Sequence, residues 1–366
     1  KISTSFLYEY TFLGGPTYND NLGLVDRSIE YQKEYNTNDN PLNGYRVNLD
    51  YQWKPWTLGT LETGYQFRSL DHSGEFVYER DGVLVPEFSS NIDLKRTIHS
   101  GYAQFTGAKS KWDYAAGVRL ESMDRTYTED LRTADPSQTY KLDFLKLFPS
   151  ASLQYKASER TNIKAAYSKR VERTTTFKMN SFAEREHSEV FEQGDNRLKP
   201  EFIDLLEVGV TSNLKNGNSV YATAYFRHTK NLINRVNSLA YESNGAVIDS
   251  IINRIYSNVG NSNAVGLEVG AQLKPTKNWT NYIGANVYTY DIDGDFTFRH
   301  RDGVTRTYGV NSDATIYSFN LNSTYKFWEN ASVQFSFNYL SETNTAQGKD
   351  SRFYSPNLTF RKKFMD

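Results

Sequence analysis

Five histidines, His72, His99, His187, His228 and His300, are the only side chains here whose unperturbed charge changes near neutral pH. None of them has a serine or aspartate partner that spacing identifies, so all five read as surface or rim residues rather than as a catalytic base. The chain has no cysteine, which excludes disulfides and cysteine nucleophiles. Two acidic stretches invite a metal reading. In "DIDGDF", Asp291, Asp293 and Asp295 surround Gly294, and clustered carboxylates suit Ca²⁺. The spacing of a calcium-binding loop fails there, because the glycine comes too early and no glutamate closes the set. The stretch reads as a polar turn at the base of a long connector and stays a weak metal candidate. In "FAEREHSEVFEQ" (Phe182–Gln193), Glu184, Glu186, His187 and Glu189 could share one face of a short helix, but a solvated charge run explains them as well. No enzyme, no cofactor and no dedicated metal site is expected.

The elements that carry these residues follow from composition and periodicity. Only 38% of the 366 residues are hydrophobic, and the mean hydropathy is −0.67. No run approaches the roughly 18 apolar residues of a transmembrane helix, which excludes a helical membrane protein. Yet 15% of residues are aromatic, with 27 Tyr and 22 Phe, a bias that favours strands. The net charge of −1 gives no field to recruit nucleic acid. The sequence starts at Lys1 without an apolar targeting segment, so the expectation is a chain whose signal peptide has been removed, or a fragment.

Period-two alternation runs through the chain. Tyr45, Val47, Leu49, Tyr51 and Trp53 alternate with Arg46, Asn48, Asp50 and Gln52, and Leu61, Thr63, Tyr65 and Phe67 with Glu62, Gly64, Gln66 and Arg68. The same pattern places strands at 1–13, 43–54, 57–70, 95–107, 112–125, 142–156, 161–173, 203–214, 218–230, 264–274, 279–291, 314–327, 331–342 and 352–364. The two faces of 218–230 and 279–291 are hard to tell apart. Short connectors near Lys54-Pro55, Ala108–Lys111, Ala157–Arg160, Lys215–Gly217, Pro275–Asn278 and Trp328–Asn330 alternate with long ones near 14–42, 71–94, 126–141, 174–202, 231–263 and 292–313. Asp81-Gly82, Asn244-Gly245 and Asp302-Gly303 add hairpin signals inside three of the long connectors.

Strict alternation of tight turns and long loops is an up-and-down meander with unlike ends. It fits an outer-membrane barrel, whereas a soluble sandwich uses Greek-key connections. The polar faces agree, because charges of both signs lie in strand interiors: Arg46, Asp50, Arg68, Arg119, Glu121, Arg170, Glu172, Glu207 and Glu268 are the candidate lumen residues. All five tryptophans, Trp53, Trp56, Trp112, Trp279 and Trp328, fall within two or three residues of a short turn. Trp prefers the membrane interface, so these read as one arc of an aromatic girdle on the periplasmic side, with the long loops outside.

Several stretches carry a family resemblance. They are "YAAGVRLES" (Tyr114–Ser122), "LFPSASLQY" (Leu147–Tyr155), "NIKAAYSKRVER" (Asn162–Arg173), "GDNRLKPEFIDLLEVG" (Gly194–Gly209), "YSNVGNSNAVGLEVG" (Tyr256–Gly270) and "SPNLTFRKKF" (Ser355–Phe364). In this order they resemble the barrel of TonB-dependent outer-membrane receptors, especially the Bacteroidetes-type outer-membrane β-barrel group. Asp195-Asn196 stand where that group has Asn-Pro, while Leu198, Pro200 and Glu201 fit. The resemblance implies an all-β, transmembrane, antiparallel up-and-down barrel. About 14 strands lie in this chain, residues 1–366 forming a partial barrel domain without its plug, out of about 22 in such receptors. It implies uptake of a bulky substrate such as a siderophore, glycan or peptide across a Gram-negative outer membrane. Membrane lipid and an energy-coupling protein acting through the plug are the expected partners, with a surface lipoprotein or other outer-membrane subunits besides. Substrate in that family is held by outer loops and the upper lumen, which makes Tyr18, Tyr31, Tyr35, Phe182, Phe191 and Tyr241 the candidate ligand aromatics. The alternative function is a structural or accessory barrel subunit without active transport.

Overall fold

The computed structural model describes residues 1–57, 59–132, 136–180, 184–187, 190–244, 247–299 and 305–364. Fourteen long strands form the wall: β1 (Ile2–Leu22), β2 (Glu30–Trp56), β3 (Gly59–Arg80), β4 (Ser90–Lys109), β5 (Trp112–Leu131), β6 (Gln138–Lys156), β7 (Thr161–Glu172), β8 (Glu201–Asn213), β9 (Ser219–Lys230), β10 (Asn261–Thr276), β11 (Trp279–Arg299), β12 (Thr305–Trp328), β13 (Ala331–Leu340) and β14 (Phe353–Lys362). Each pairs antiparallel with its sequence neighbours in one meander from β1 to β14. A short strand, Val83–Leu84, adds to β3 and makes the sheet fifteen-stranded.

Register separates two faces. The outer one carries Val118 and Leu120, then Leu206, Val208 and Val210, then Val265, Leu267 and Val269, all large apolar side chains left exposed. The inner face carries charge and amide. Strand β9, ambiguous by sequence, resolves: Val220, Ala222, Ala224 and Phe226 lie outward, Tyr221 and Tyr225 inward, opposite Gly270 and Gly266. The ambiguity arises because the bulky residues are inside. Each inward tyrosine lies across a glycine of β10. A Cβ on Gly270 would stand 2.3 Å from the Tyr221 ring, and one on Gly266 2.4 Å from the Tyr225 ring.

The outer band has defined edges. Below, Trp53, Trp112 and Trp279 lie exposed on it, with Trp112 packed on Tyr155 at 4.6 Å between ring centroids. Trp328 is exposed at a bulge, and Trp56 ends β2, its side chain lying outside the described residues. Above, a polar row closes the band: Lys169 to Asp204 (2.8 Å), His228 to Asn263 (2.7 Å) and Asn263 to Asp291 (2.9 Å). Between these edges β11 runs from Trp279 to Thr289, within the roughly 9–11 tilted residues that cross a bilayer.

Three sequence expectations change. Lys54-Pro55 is not a turn. It belongs to β2, in a bulge between the pairs Trp53↔Leu61 and Trp56↔Gly59. Lys274-Pro275 sits in the same way between Leu273↔Asn281 and Thr276↔Trp279. A proline has no ladder N–H to give, and a bulge asks for none. Second, most of the connector 14–42 is strand, since β1 and β2 pair as far as Leu22↔Glu30. The hairpin at Asp81-Gly82 is as expected, with φ of 52° and 75°. Residues 302–303 lie outside the described ones, and Asn244↔Val247 is the last pair flanking 245–246. Third, "DIDGDF" is not a turn but part of β11, with Asp291, Asp293 and Asp295 along one face of an extended strand. Likewise Glu184–His187 and Val190–Gln193 are short strands rather than a helix.

The wall is also polarised along its length. In β3 the outer face is apolar up to Phe67, and from Leu70 the inner face takes over, with Leu70, Phe76 and Tyr78 buried. Ile92 and Leu94 of β4 and Tyr127 of β5 join them. A second core forms where Ile292 and Phe296 of β11 and Val310 of β12 meet Leu232, Val236, Ile255 and Val259. The last four lie in or beside a hairpin, Ile233–Asn244 with Val247–Asn258, which folds onto the inner face and pairs in parallel with Val190–Gln193.

The absence of cysteine makes topology directly measurable. A membrane-impermeant maleimide should label Val25→Cys, at a fully exposed position between β1 and β2, on whole cells. It should reach Lys111→Cys, in the β4–β5 turn, only after permeabilisation; labelling of Lys111→Cys on intact cells would invert the orientation. In unfolding measured in lipid vesicles, Gly270→Ala should lose about 1–3 kcal/mol by overpacking Tyr221. Gly101→Ala should be near neutral, since its Cβ would meet nothing within 4 Å.

Candidate functional site

Between β7 and β8 the described residues form one helical turn and two four-residue strands. Thr175 caps a single helical turn, Thr176–Met179, by accepting from the Lys178 amide at 3.3 Å. The return path closes on that turn: the Gly194 amide donates to Asn180 O (2.5 Å) and the Asp195 amide to Lys178 O (2.9 Å). Gly194 is needed there, because a Cβ would stand 2.5 Å from both carbonyl oxygens.

The wall holds this segment. Met179 and Leu198 are fully buried against the inner face of β3–β5. Between them enters Arg125 of β5, 3% exposed. Its guanidinium donates to Leu198 O (2.8 Å), Asn196 O (3.2 Å), the Thr174 hydroxyl (3.3 Å) and the Met179 sulfur (3.0 Å). Arg96 of β4 donates to Thr174 O at 3.2 Å. One buried cation thus fastens both ends of the segment. Burial lowers the Arg125 pKa to about 10, so it remains charged at neutral pH. Burial likewise raises the carboxyl of Asp195 above its ordinary range, against the pull of Arg197 and Arg125.

Beneath the segment the inner face is a connected polar network. Ser5, Asn48, Gln66 and Arg119 are linked by hydrogen bonds of 2.7–2.8 Å across β1, β2, β3 and β5. Arg119 continues to Ser100 at 2.7 Å and to Glu121 at 3.4 Å. Glu121, 1% exposed, also pairs with Arg173 at the exit of β7. Asp50 accepts from the Tyr102 hydroxyl at 2.5 Å, and Glu268 from that of Tyr221 at 2.7 Å. Arg46 and Arg68 stand directly opposite each other on β2 and β3. Register puts Arg170, Glu172 and Glu207 on this face too, in β7 and β8. All nine candidate lumen residues therefore share one face, and Arg119, Glu121 and Arg173 form its tightest cluster. Sequence reasoning missed Arg125 and Arg96, whose parity with Glu121 and Ser100 was readable; Arg173 lies one residue past β7, at that strand's outward parity, and carried no such signal.

Two cavities open on this face. One, of about 600 Å³, lies at the lower end near Lys54, Thr106, Asp113 and Lys164. The other, of about 300 Å³, lies between the segment and β1–β4, against Asn38, Asn40, His72, Phe76 and Phe177.

A model of the outer membrane protein beta-barrel family matches residues 1–366. The chain belongs to that family. The wall is thus an outer-membrane β-barrel wall of a Gram-negative bacterium, its apolar band facing lipid. No curated protein sequence matches it significantly. Solved structures share the fold at low identity. The siderophore receptor PiuA from Acinetobacter baumannii is 13% identical with a TM-score of 0.64, all of this chain matching 56% of that one. The ferric-catecholate import receptor Fiu from K12 E. coli is 14% identical with a TM-score of 0.62, 100% of this chain covering 55% of it. The ferric citrate transporter FecA, in its unliganded form, is 14% identical with a TM-score of 0.61 and is covered over 52% of its length. The chain therefore spans about half the length of these structures.

The barrel places the candidate ligand aromatics differently from a loop cluster. Tyr18 and Tyr35 are cross-strand partners, 5.0 Å between ring centroids, on the upper extension of β1 and β2, and Tyr31 is exposed near the start of β2. They lie on strands because the connector is strand. Phe182 lies outside the described residues. Phe191 and Tyr241 lie on the strands Val190–Gln193 and Ile233–Asn244, their side chains outside the described set. Among the described residues no group of three or more His, Cys, Asp or Glu is placed to hold a metal. His72, expected in a loop, is buried on the inner face of β3. His187 ends a short strand, and His300 lies outside the described residues.

Arg125→Ala should free the segment without melting the wall. It leaves the carbonyls of Leu198 and Asn196 unpaired, each worth roughly 1–3 kcal/mol when buried. Limited proteolysis should cut within 174–200 at least about tenfold faster, while the heat-modifiable mobility of the folded barrel persists. Unchanged cleavage would show that apolar burial alone holds the segment.

Proposed function

We propose that this chain is the barrel portion of a TonB-dependent outer-membrane receptor that imports a bulky solute. In this reading a plug domain and further strands complete the barrel, and an energy-coupling protein acts through the plug. The observation that carries the reading is the pairing of a polar, charge-lined inner face with a segment anchored across it from above. A purely structural wall has no need of buried guanidinium anchors or of a hydrogen-bonded charge network facing away from lipid. The chain's span of about half of known import receptors fits a barrel that continues beyond it. The nine lumen residues would line the passage or hold the plug, and the tryptophans would seat the lower rim at the lipid interface.

The test is uptake by cells lacking the full-length protein, measured over a panel of ferric siderophores, oligosaccharides and peptides, with and without a protonophore. Loss of uptake of one solute class is expected, matched in wild-type cells by the protonophore. Unchanged uptake across the panel, together with loss of a co-purifying outer-membrane complex, would replace transport by the structural-subunit reading.

A further inference from the structure

The upper cavity differs from the rest of the inner face in its chemistry. Its lining holds no charged side chain, although the arginines of the wall lie just below it. Its polar groups are amides, hydroxyls and one imidazole. His72 is 4% exposed, and its Nδ1 has no hydrogen-bond partner among the described residues. The amides of Asn38 and Asn40 lie half-buried on β2 beside it and line the same cavity. Leaving that buried nitrogen unpaired is unfavourable by roughly 1–3 kcal/mol, and the two amides beside it add further donors and acceptors. Burial lowers the imidazole pKa, so His72 is neutral at physiological pH and offers one donor and one acceptor nitrogen. An amide likewise offers both. Groups that both donate and accept are matched by hydroxyls, not by carboxylates. Phe76 below and Phe177 above supply apolar ring faces. The volume of about 300 Å³ is at the small end of ligand pockets and suits one ring rather than an extended chain.

We propose that this cavity binds an uncharged polyhydroxylated ring, a single saccharide unit, with Asn38, Asn40 and His72 hydrogen-bonding its hydroxyls and Phe76 and Phe177 covering its apolar edge. Thr176, Phe177 and Asn180, on the helical turn whose Met179 touches Arg125, form the roof. The inference narrows the substrate class of the uptake reading and rests on that reading only for how the ligand arrives; binding is measured separately.

The experiment is saturation-transfer NMR on the full-length protein in detergent, with glucose, galactose, mannose and N-acetylglucosamine as neutral probes and glucuronate as the charged analogue. At least one neutral sugar should bind saturably, and glucuronate at least about tenfold more weakly. Asn40→Leu and His72→Phe should each weaken binding about tenfold, with folding checked by heat-modifiable mobility. Asn38→Leu serves where one of them fails to fold. No saturable binding by any neutral probe overturns the proposal. So does binding untouched by these substitutions, or glucuronate bound as tightly as its neutral counterpart. Sugar binding without uptake in cells would remove the transport reading and keep the site; protonophore-sensitive uptake of a charged solute alone, without sugar binding, would do the opposite.

Discussion

Everything in this fold follows from the need to pair every backbone N–H and C=O inside a hydrocarbon layer that offers no partners. Between β1 and β14 the ladder meets that need without interruption through the apolar band. Irregularities are pushed to its lower edge, to the bulges at Lys54-Pro55 and Lys274-Pro275, where the Lys274 amide donates to the Asn218 side chain at 2.6 Å. Once the backbone is fixed as strand, side chains must alternate, and an apolar outer row forces the inner row to be whatever lipid rejects. Charges placed there still require partners. The chain from Ser5 through Asn48, Gln66 and Arg119 to Glu121 and Arg173 supplies them across four strands and the exit of β7. Where a large tyrosine must lie inward, a glycine opposite makes room, as at Tyr221 and Gly270.

The polarity of the wall inverts where the lipid ends. Below the row of Lys169, Asp204, Asn263 and Asp291 the outside is apolar and the inside polar. Above it the outside meets water, and the inside meets the chain's own connectors. Leu70, Phe76 and Tyr78 then occupy the parity that Gln66 and Arg68 hold lower in β3. Both cores of the molecule lie in this upper zone. A strand that changes which face is greasy partway along is one that leaves one solvent for another.

That inversion also sets what could be read from the sequence. Fourteen strands and most of their short turns were legible because each depends on local period and on turn residues. The upper extensions were not, because a reader following Leu61, Thr63, Tyr65 and Phe67 sees the alternation fail after Arg68 and ends the strand. It does not fail; it changes phase. The acidic stretch at 291–295 misleads for a related reason. Gly294 with φ of 151° marks close contact with Gly260 across the inner face, not a turn. The inward position of Thr174 and Leu198 had no local signal at all, since the residue that holds them, Arg125, is about 50 to 70 positions away in sequence.

The anchored segment is therefore only as stable as its grip on the wall. A four-residue helix and two four-residue strands are too short to persist alone in water. Their order comes from Met179 and Leu198 in the upper core and from the guanidinium between them. Local opening would break those few contacts and leave the ladder untouched, so the segment belongs to the low-stability end of the molecule while the wall belongs to the high end. The helical turn over the neutral cavity thus depends on one buried arginine for its order, while the wall beneath it does not.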